Sequence, residues 1–335
     1  MDDAAGNPTA TGLLFRLLDR GDDWLNRTAV DLFGDLPIAG KFLAHHHLSA
    51  RGLLIAIVGL LALWIVPPST EWLLRRFRCT ATNFRGDKIP QAFGLAVLLC
   101  AAPLLAFDAW IQPPTAGDRL LWLSCIVAFA AIGFLDDVRG DKQVKGLRGH
   151  LRTLITDRRV TTGLIKAIGG VIIALGLAYQ IHGGQPLPVL ISAAVIALSA
   201  NAMNLLDLRP GRACGVFCAS AIAILAIVWR REEAPSVPGL LYVVLPALVV
   251  WSHDAEGRVM LGDTGSNVLG GSLGLALCLY FGTGVQIVLL LALAALHVAA
   301  ERISLTKVIE ANPVLRAIDR LTGVRASRPS DEKRS

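Results

Sequence analysis

The sequence predicts an all-α, polytopic membrane protein with about 9–10 transmembrane helices. Three observations carry this. The 335-residue chain is 54% hydrophobic and only 17% charged, with a mean hydropathy of +0.56. Nine apolar segments of about 15–20 residues recur along it, each long enough to cross a ~30 Å hydrocarbon core with some tilt or interfacial extension. The Lys and Arg residues gather in alternate connecting loops. A soluble domain has no use for so much apolar surface. The net charge of +6 suits a nucleic-acid binder as well, but such a protein would not carry repeated membrane-length segments, so nucleic acid is not expected as a partner.

Taken in order, residues 1–47 place Leu13, Leu14, Leu17, Leu18, Trp24 and Leu25 at near-helical spacing among acids and Arg. That pattern predicts an interfacial amphipathic segment. The Met-Asp-Asp start lacks a basic region before an apolar stretch, so no cleavable signal peptide is expected. His45, His46 and His47 point in different directions on a helix, which favours an interfacial cluster over a metal site. A transmembrane domain then spans 48–299, with segments at 48–66, 92–111, 119–135, 163–181, 187–205, 214–229, 238–252, 268–282 and 284–299. The segments at 238–252 and 268–282 are the shortest. Residues 300–335 form a basic C-terminal segment.

Loop charge sets the orientation. The 67–91 loop carries Arg75, Arg76, Arg78, Arg85 and Lys88, and the 136–162 loop is richer still, whereas connectors 112–118 and 182–187 lack excess positive charge. Placing the basic loops in the cytoplasm puts the N-terminus outside and the C-terminus inside. Arg230-Arg231 falls outside, balanced by Glu232-Glu233. The six cysteines are scattered, mostly in apolar runs. Cys214 and Cys218 share a helix face, as small packing residues would.

In this threading four polar stretches reach one face: Gly133 to Asp137, Asn201 to Asp207, Gly262 to Ser266, and the basic run from Arg139 to Arg159. Asp136 and Asp137 end the third span, where a carboxylate pair can position a cation or accept a proton, or simply mark a solvated boundary. Asn201, Asn204 and Asp207 recur at intervals of three and share a helix face, as ligands or as helix–helix hydrogen-bonding groups. Asp207 opens a loop whose Arg209 and Arg212 suit a phosphate, with Pro210 and Gly211 setting a turn. In Gly262-Asp263-Thr264-Gly265-Ser266 the glycines allow close backbone approach, the Asp offers a hard oxygen, and the hydroxyls serve as ligands or caps. Carboxylates and amides beside many cations point to chemistry on a phosphorylated substrate. Intramembrane polar groups also mark transporters, but these lie at span ends and no inverted repeat is visible.

From about Asn83 to Gly323 the chain resembles the polyprenyl-phosphate N-acetylhexosamine-1-phosphate transferase superfamily, the glycosyltransferase family 4 group. It includes phospho-N-acetylmuramoyl-pentapeptide transferase and the enzymes that load N-acetylglucosamine-1-phosphate onto undecaprenyl phosphate. Arg85-Gly86-Asp87-Lys88-Ile89-Pro90 looks like the family's first cytoplasmic segment, Asp136-Asp137 its Asp pair and Lys145 a downstream Lys. Asn204 and Asp263 fall where the family holds magnesium. The resemblance implies about ten helices, a cytoplasmic active site, a bacterial plasma membrane and Mg²⁺. It also implies transfer of a sugar-1-phosphate from a nucleotide sugar, a UDP-N-acetylhexosamine, to a polyprenyl phosphate in cell envelope biogenesis. Asp136, Asp137 and Asp263 are then catalytic, with Asn204 and Asp263 on the metal. Lys88, Lys145, Asn201, Asp207, Arg209, Arg212 and Gly262 bind substrate. Membrane homodimers occur in the family.

The chain also departs from the pattern. Leu208 and Pro210 replace a Gly and an acid or amide that helps read uridine, and Met260 stands where some members carry a uracil-stacking aromatic. The late histidine motif is missing; His297 lies inside the ninth span. These changes make this a divergent member. They motivate the alternative of a catalytically inactive relative that binds polyprenyl phosphate or scaffolds an envelope-synthesis complex.

Overall fold

The computed structural model describes residues 16–21, 23, 24, 27, 50–83, 85–111, 116–140, 153, 156, 158, 161–230 and 238–323. Most of the expected interfacial segment, the His45–His47 run and Lys145 lie outside these residues. Within them each of the nine predicted apolar segments is a helix. In chain order they are α1 (Ala50–Arg76), a hairpin of β1 (Thr80–Thr82) and β2 (Lys88–Pro90), α2 (Leu95–Ile111), α3 (Ala116–Arg139), α4 (Thr162–His182), α5 (Pro186–Leu206), α6 (Arg212–Val228), α7 (Leu241–Ala255), α8 (Gly262–Tyr280) and α9 (Thr283–Arg302). Two short helices follow, α10 (Leu305–Ala311) and α11 (Pro313–Thr322). The protein is an all-α polytopic membrane protein. By length and composition α1, α3, α4, α5 and α9 can each cross a membrane, and α2, α6 and α7 are shorter apolar helices.

Two helix boundaries differ most from the sequence expectation. The first span was expected to stop at Val66, before Pro67-Pro68, but α1 continues through both prolines to Arg76. Beyond them the Ser69 and Thr70 hydroxyls donate to the Ile65 and Val66 carbonyls at 2.7 and 2.8 Å. The eighth helix starts at Gly262 rather than 268 because a carboxylate from α3 caps its first turn, as described below.

The centre of the bundle is α8, packed against α5 and α3. Its Gly270 and Gly274 face the α5 backbone at Ser199, Ala200 and Ile196, and Gly271 faces the Phe129 ring. Small residues let apolar helices approach closely where no water drives them together. Cys125, Cys214, Cys218 and Cys278 are buried in this packing as free thiols.

The two ends of the bundle are built differently. At one end Asp108 of α2 and Arg119 of α3 form a buried ion pair, and the Tyr242 hydroxyl donates to Asp108 Oδ2 at 2.7 Å. Removing one partner of such a pair costs about 3–5 kcal/mol, because it strands a buried charge. At the other end the hairpin turns on Asn83, whose Oδ1 accepts from the Arg85 and Asp87 amides at 2.8 and 2.9 Å. The chain leaving it exchanges backbone bonds with the segment before α8: Met260 N to Pro90 O (2.8 Å), then Phe93 N to Met260 O and Gly94 N to Leu261 O (both 2.9 Å). This lays the Gly-Asp-Thr turn beside the end of α3.

Candidate active site

The last turn of α3 supplies Asp136 and Asp137, and they do different things. Asp137 Oδ1 accepts from Asp263 N at 2.9 Å and Gln91 Nε2 at 3.2 Å. Its Oδ2 accepts from Thr264 N at 2.8 Å and Thr264 Oγ1 at 2.6 Å. Both oxygens are therefore taken up in holding the N-terminus of α8, where orphan amides and the helix dipole favour a carboxylate. Gly262 makes this possible. Its φ of +72° suits glycine, and a Cβ there would run into the Asp137 carboxylate. Gly133, one turn earlier on α3, lets that helix lie directly on the Asp263 backbone.

Asp136 instead faces Asp263 and a residue that the sequence motifs do not single out, Lys166 of α4. The Lys166 ammonium pairs with Asp263 Oδ2 and lies 3.7 Å from Asp136 Oδ2. The Asn204 amide is assigned so that all its partners are satisfied: Nδ2 donates to Asp263 Oδ1 at 2.6 Å and to Ser266 Oγ at 3.1 Å, and Oδ1 accepts from Lys166 Nζ at 2.9 Å. An ammonium thus sits where oxygens of three helices converge. A lone Lys within an apolar run is itself the signal that could have found it, because an intramembrane cation needs a partner.

Asp207 caps the end of α5, its amide bonded to the Met203 and Asn204 carbonyls. Burial first, then the charges of Asp254, Asp263 and Asp137, push its carboxyl well above the ordinary value of 3.8. Asp263 stands in the first turn of α8, ahead of the apolar stretch that begins at Val268. Its carboxyl is pushed up to about 7 by burial and by the hydrogen bond with Asp136, against the pull of Lys166. Asp254, at the end of α7, accepts from Gly211 N at 2.6 Å and Leu261 N at 3.2 Å. It ties the Asp207–Arg212 loop to the Gly-Asp-Thr turn.

Asp137, Asp207, Arg209, Asp254, Gly262 and Asp263 share the wall of one cavity of about 520 Å³, with Asn83 and Gln91 from the hairpin side and Met260 beside them. Other expected site residues fall elsewhere. Asn201 is exposed one turn back on α5, and Lys88 is exposed on β2. Arg212 is buried, with Nε and Nη2 bonded to the Asp319 carboxylate of α11 at 2.6 and 3.0 Å. Its partner comes from a segment more than a hundred residues away, which loop composition alone does not reveal.

The oxygens around Lys166 bear on a metal. Asp136 and Asp263 carboxylates with the Asn204 amide are hard donors, and Mg²⁺ usually takes one or two carboxylates and leaves its other positions to water and phosphate. Among the described residues no group of three or more His, Cys, Asp or Glu is placed to hold a metal ion by itself. The donor set fits an ion shared with a phosphorylated ligand, at the place where the Lys166 ammonium now satisfies the oxygens.

The site is thus a cavity of about 520 Å³ lined by acids, amides and the Arg209 cation, with the Lys166 cluster beside it, in a helical membrane bundle. Residues 119–281 match the family described as Glycosyl transferase family 4. The chain is 24% identical over 251 residues to the phospho-N-acetylmuramoyl-pentapeptide-transferase of Chlamydia abortus, covering 65% of this chain and 71% of that protein. It is 31% identical over 245 residues to that of Acaryochloris marina, covering 65% and 61%. It is 30% identical over 210 residues to that of Fusobacterium nucleatum, covering 53% and 56%. The chain thus spans less than two thirds of the length of the last two relatives. The family match and these relatives support a likeness to the polyprenyl-phosphate N-acetylhexosamine-1-phosphate transferase superfamily.

Proposed function

We propose that the protein transfers a sugar-1-phosphate from a nucleotide sugar, of the UDP-N-acetylhexosamine class, to a polyprenyl phosphate at the cytoplasmic face of a bacterial plasma membrane. The observation that carries this reading is the convergence of Asp136, Asn204 and Asp263 on Lys166 beside the cavity. The family match and the relatives support phosphosugar transfer to a polyprenyl phosphate in general. The basic loops support the cytoplasmic assignment, since the hairpin and the Asp pair lie at the ends they flank.

In the reaction an oxygen of the lipid phosphate attacks the β-phosphorus of the donor. The bond from that phosphorus to the bridging oxygen breaks, and the nucleoside monophosphate leaves with the electron pair. Such a step needs in-line placement and charge neutralisation more than covalent catalysis. Lys166 neutralises phosphate oxygens, and Asp136, the acid of the pair not consumed in capping, orients the acceptor. Asp137 holds the Gly262–Thr264 turn so that Asp263 faces the pyrophosphate. Asn204 and Asp263 would hold Mg²⁺, which when bound supplies neutralisation of the pyrophosphate oxygens. Arg209 offers the cavity a guanidinium for a donor anion, and Asp207 and Met260 line the donor side.

The test is release of nucleoside monophosphate by purified protein given undecaprenyl phosphate, Mg²⁺ and a panel of UDP-sugars. Mg²⁺-dependent release that vanishes in Asp263→Ala is expected. Unchanged turnover in that variant overturns the assignment, and silence across the panel from folded, lipid-binding protein favours a non-catalytic relative.

A further inference from the structure

We propose that Glu310 of α10 is an internal competitor for the donor anion at Arg209, so that the C-terminal helix pair gates donor binding; this rests on the transferase reading above. Arg209 and Arg212 leave the same loop but are held in opposite ways. The Arg212 side chain is 3% exposed and meets Asp319, itself 13% exposed, through two bonds. The end of α11 is fixed further by Trp251 Nε1, which donates to Thr322 O at 2.8 Å, and its first turn is capped by Asn312 Oδ1, which accepts from Val314 N and Leu315 N. That half is an anchor, since breaking a buried pair strands a charge.

Arg209 is different. It lines the cavity with Asp207 and Asp263, its side chain is 43% exposed, and its guanidinium pairs with Glu310, 48% exposed. Asp319 Oδ2 stands 3.9 Å away. The helix that carries Glu310 buries no side chain. An exposed pair of this kind contributes little and exchanges readily. A pyrophosphate brings more charge and can engage a guanidinium bidentately. The anchored α11 therefore keeps α10 in place, and Glu310 occupies Arg209 until a stronger anion displaces it.

Binding of inorganic pyrophosphate with Mg²⁺ to the full chain in detergent, by calorimetry, tests this. Glu310→Gln should bind about two- to five-fold more tightly than wild type, the scale of one exposed ion pair. The gap should narrow as salt rises. Arg209→Ala should bind more weakly, and adding Glu310→Gln to it should give no gain. Equal or weaker binding by Glu310→Gln, or a gain that survives without Arg209, overturns the inference. Monophosphate release on the same preparations separates the two claims. An active wild type whose pyrophosphate affinity ignores Glu310 removes the gate alone, and a wild type that neither binds pyrophosphate nor turns over removes both.

Discussion

At the scale of single residues, the site works through the differing surroundings of similar groups. Asp136 and Asp137 are adjacent in sequence, yet one faces Lys166 and the other caps α8. The motifs made both Asp residues legible, together with Asn204 and Asp263. They could not show the division of labour, because it depends on which amides α8 presents in three dimensions. Lys166 was not read from the motifs because its partners lie on α3, α5 and α8. Lys166→Met should lower turnover by at least about 10²-fold, as loss of a charge-stabilising donor does, while the purified variant elutes as wild type. Activity within a few-fold of wild type would remove the lysine from the mechanism. Asp207 allows a pH test. Its raised carboxyl keeps a proton that the unfolded chain releases above 3.8, so folding stability falls as pH rises from there toward the folded value. Asp207→Asn removes that penalty, and its melting temperature should exceed that of wild type by more at pH 8 than at pH 5. A gain that grows on acidification contradicts this sign.

At the scale of elements, the helices were legible because apolar length alone specifies a membrane span. Their ends were less so. The α8 start was missed by six residues, since Gly262–Asn267 is polar and its helical state depends on the Asp137 carboxylate. That dependence predicts a separation of effects. Asp137→Ala leaves the Asp263 and Thr264 amides without their acceptor and should cost about 1–2 kcal/mol of stability, the scale of a lost helix cap. Asp136→Ala removes no cap and should leave thermal stability near wild type while activity falls. Equal melting shifts in the two variants would mean that the capping geometry is not what distinguishes them. The C-terminal helices were read only as a basic segment. Their docking depends on Asp319 meeting Arg212, and a contact over that sequence distance leaves no periodic trace.

At the scale of the whole molecule, the bundle has a buried Asp108–Arg119–Tyr242 cluster at one end and the candidate site at the other. In the proposed orientation, argued from loop charge, the site faces the cytoplasm. Single cysteines replacing exposed Lys88 and exposed Gly184 should take up an impermeant maleimide from opposite sides, Lys88→Cys only once the cytoplasmic side is opened. Labelling of Lys88→Cys from outside, with Gly184→Cys reached only once the cytoplasmic side is opened, would reverse the topology and move the chemistry away from cytoplasmic nucleotide sugars. The central claim is that the β-phosphorus of the donor passes to the membrane lipid. The most direct measurement follows a UDP-N-acetylhexosamine labelled at that phosphorus, incubated with purified protein, polyprenyl phosphate and Mg²⁺ and then partitioned into organic solvent. Label is expected in the lipid phase, unlabelled UMP in the water, and neither product with Asp263→Ala. Label that remains in the water as free sugar phosphate, or lipid labelling unaffected by Asp263→Ala, would contradict it.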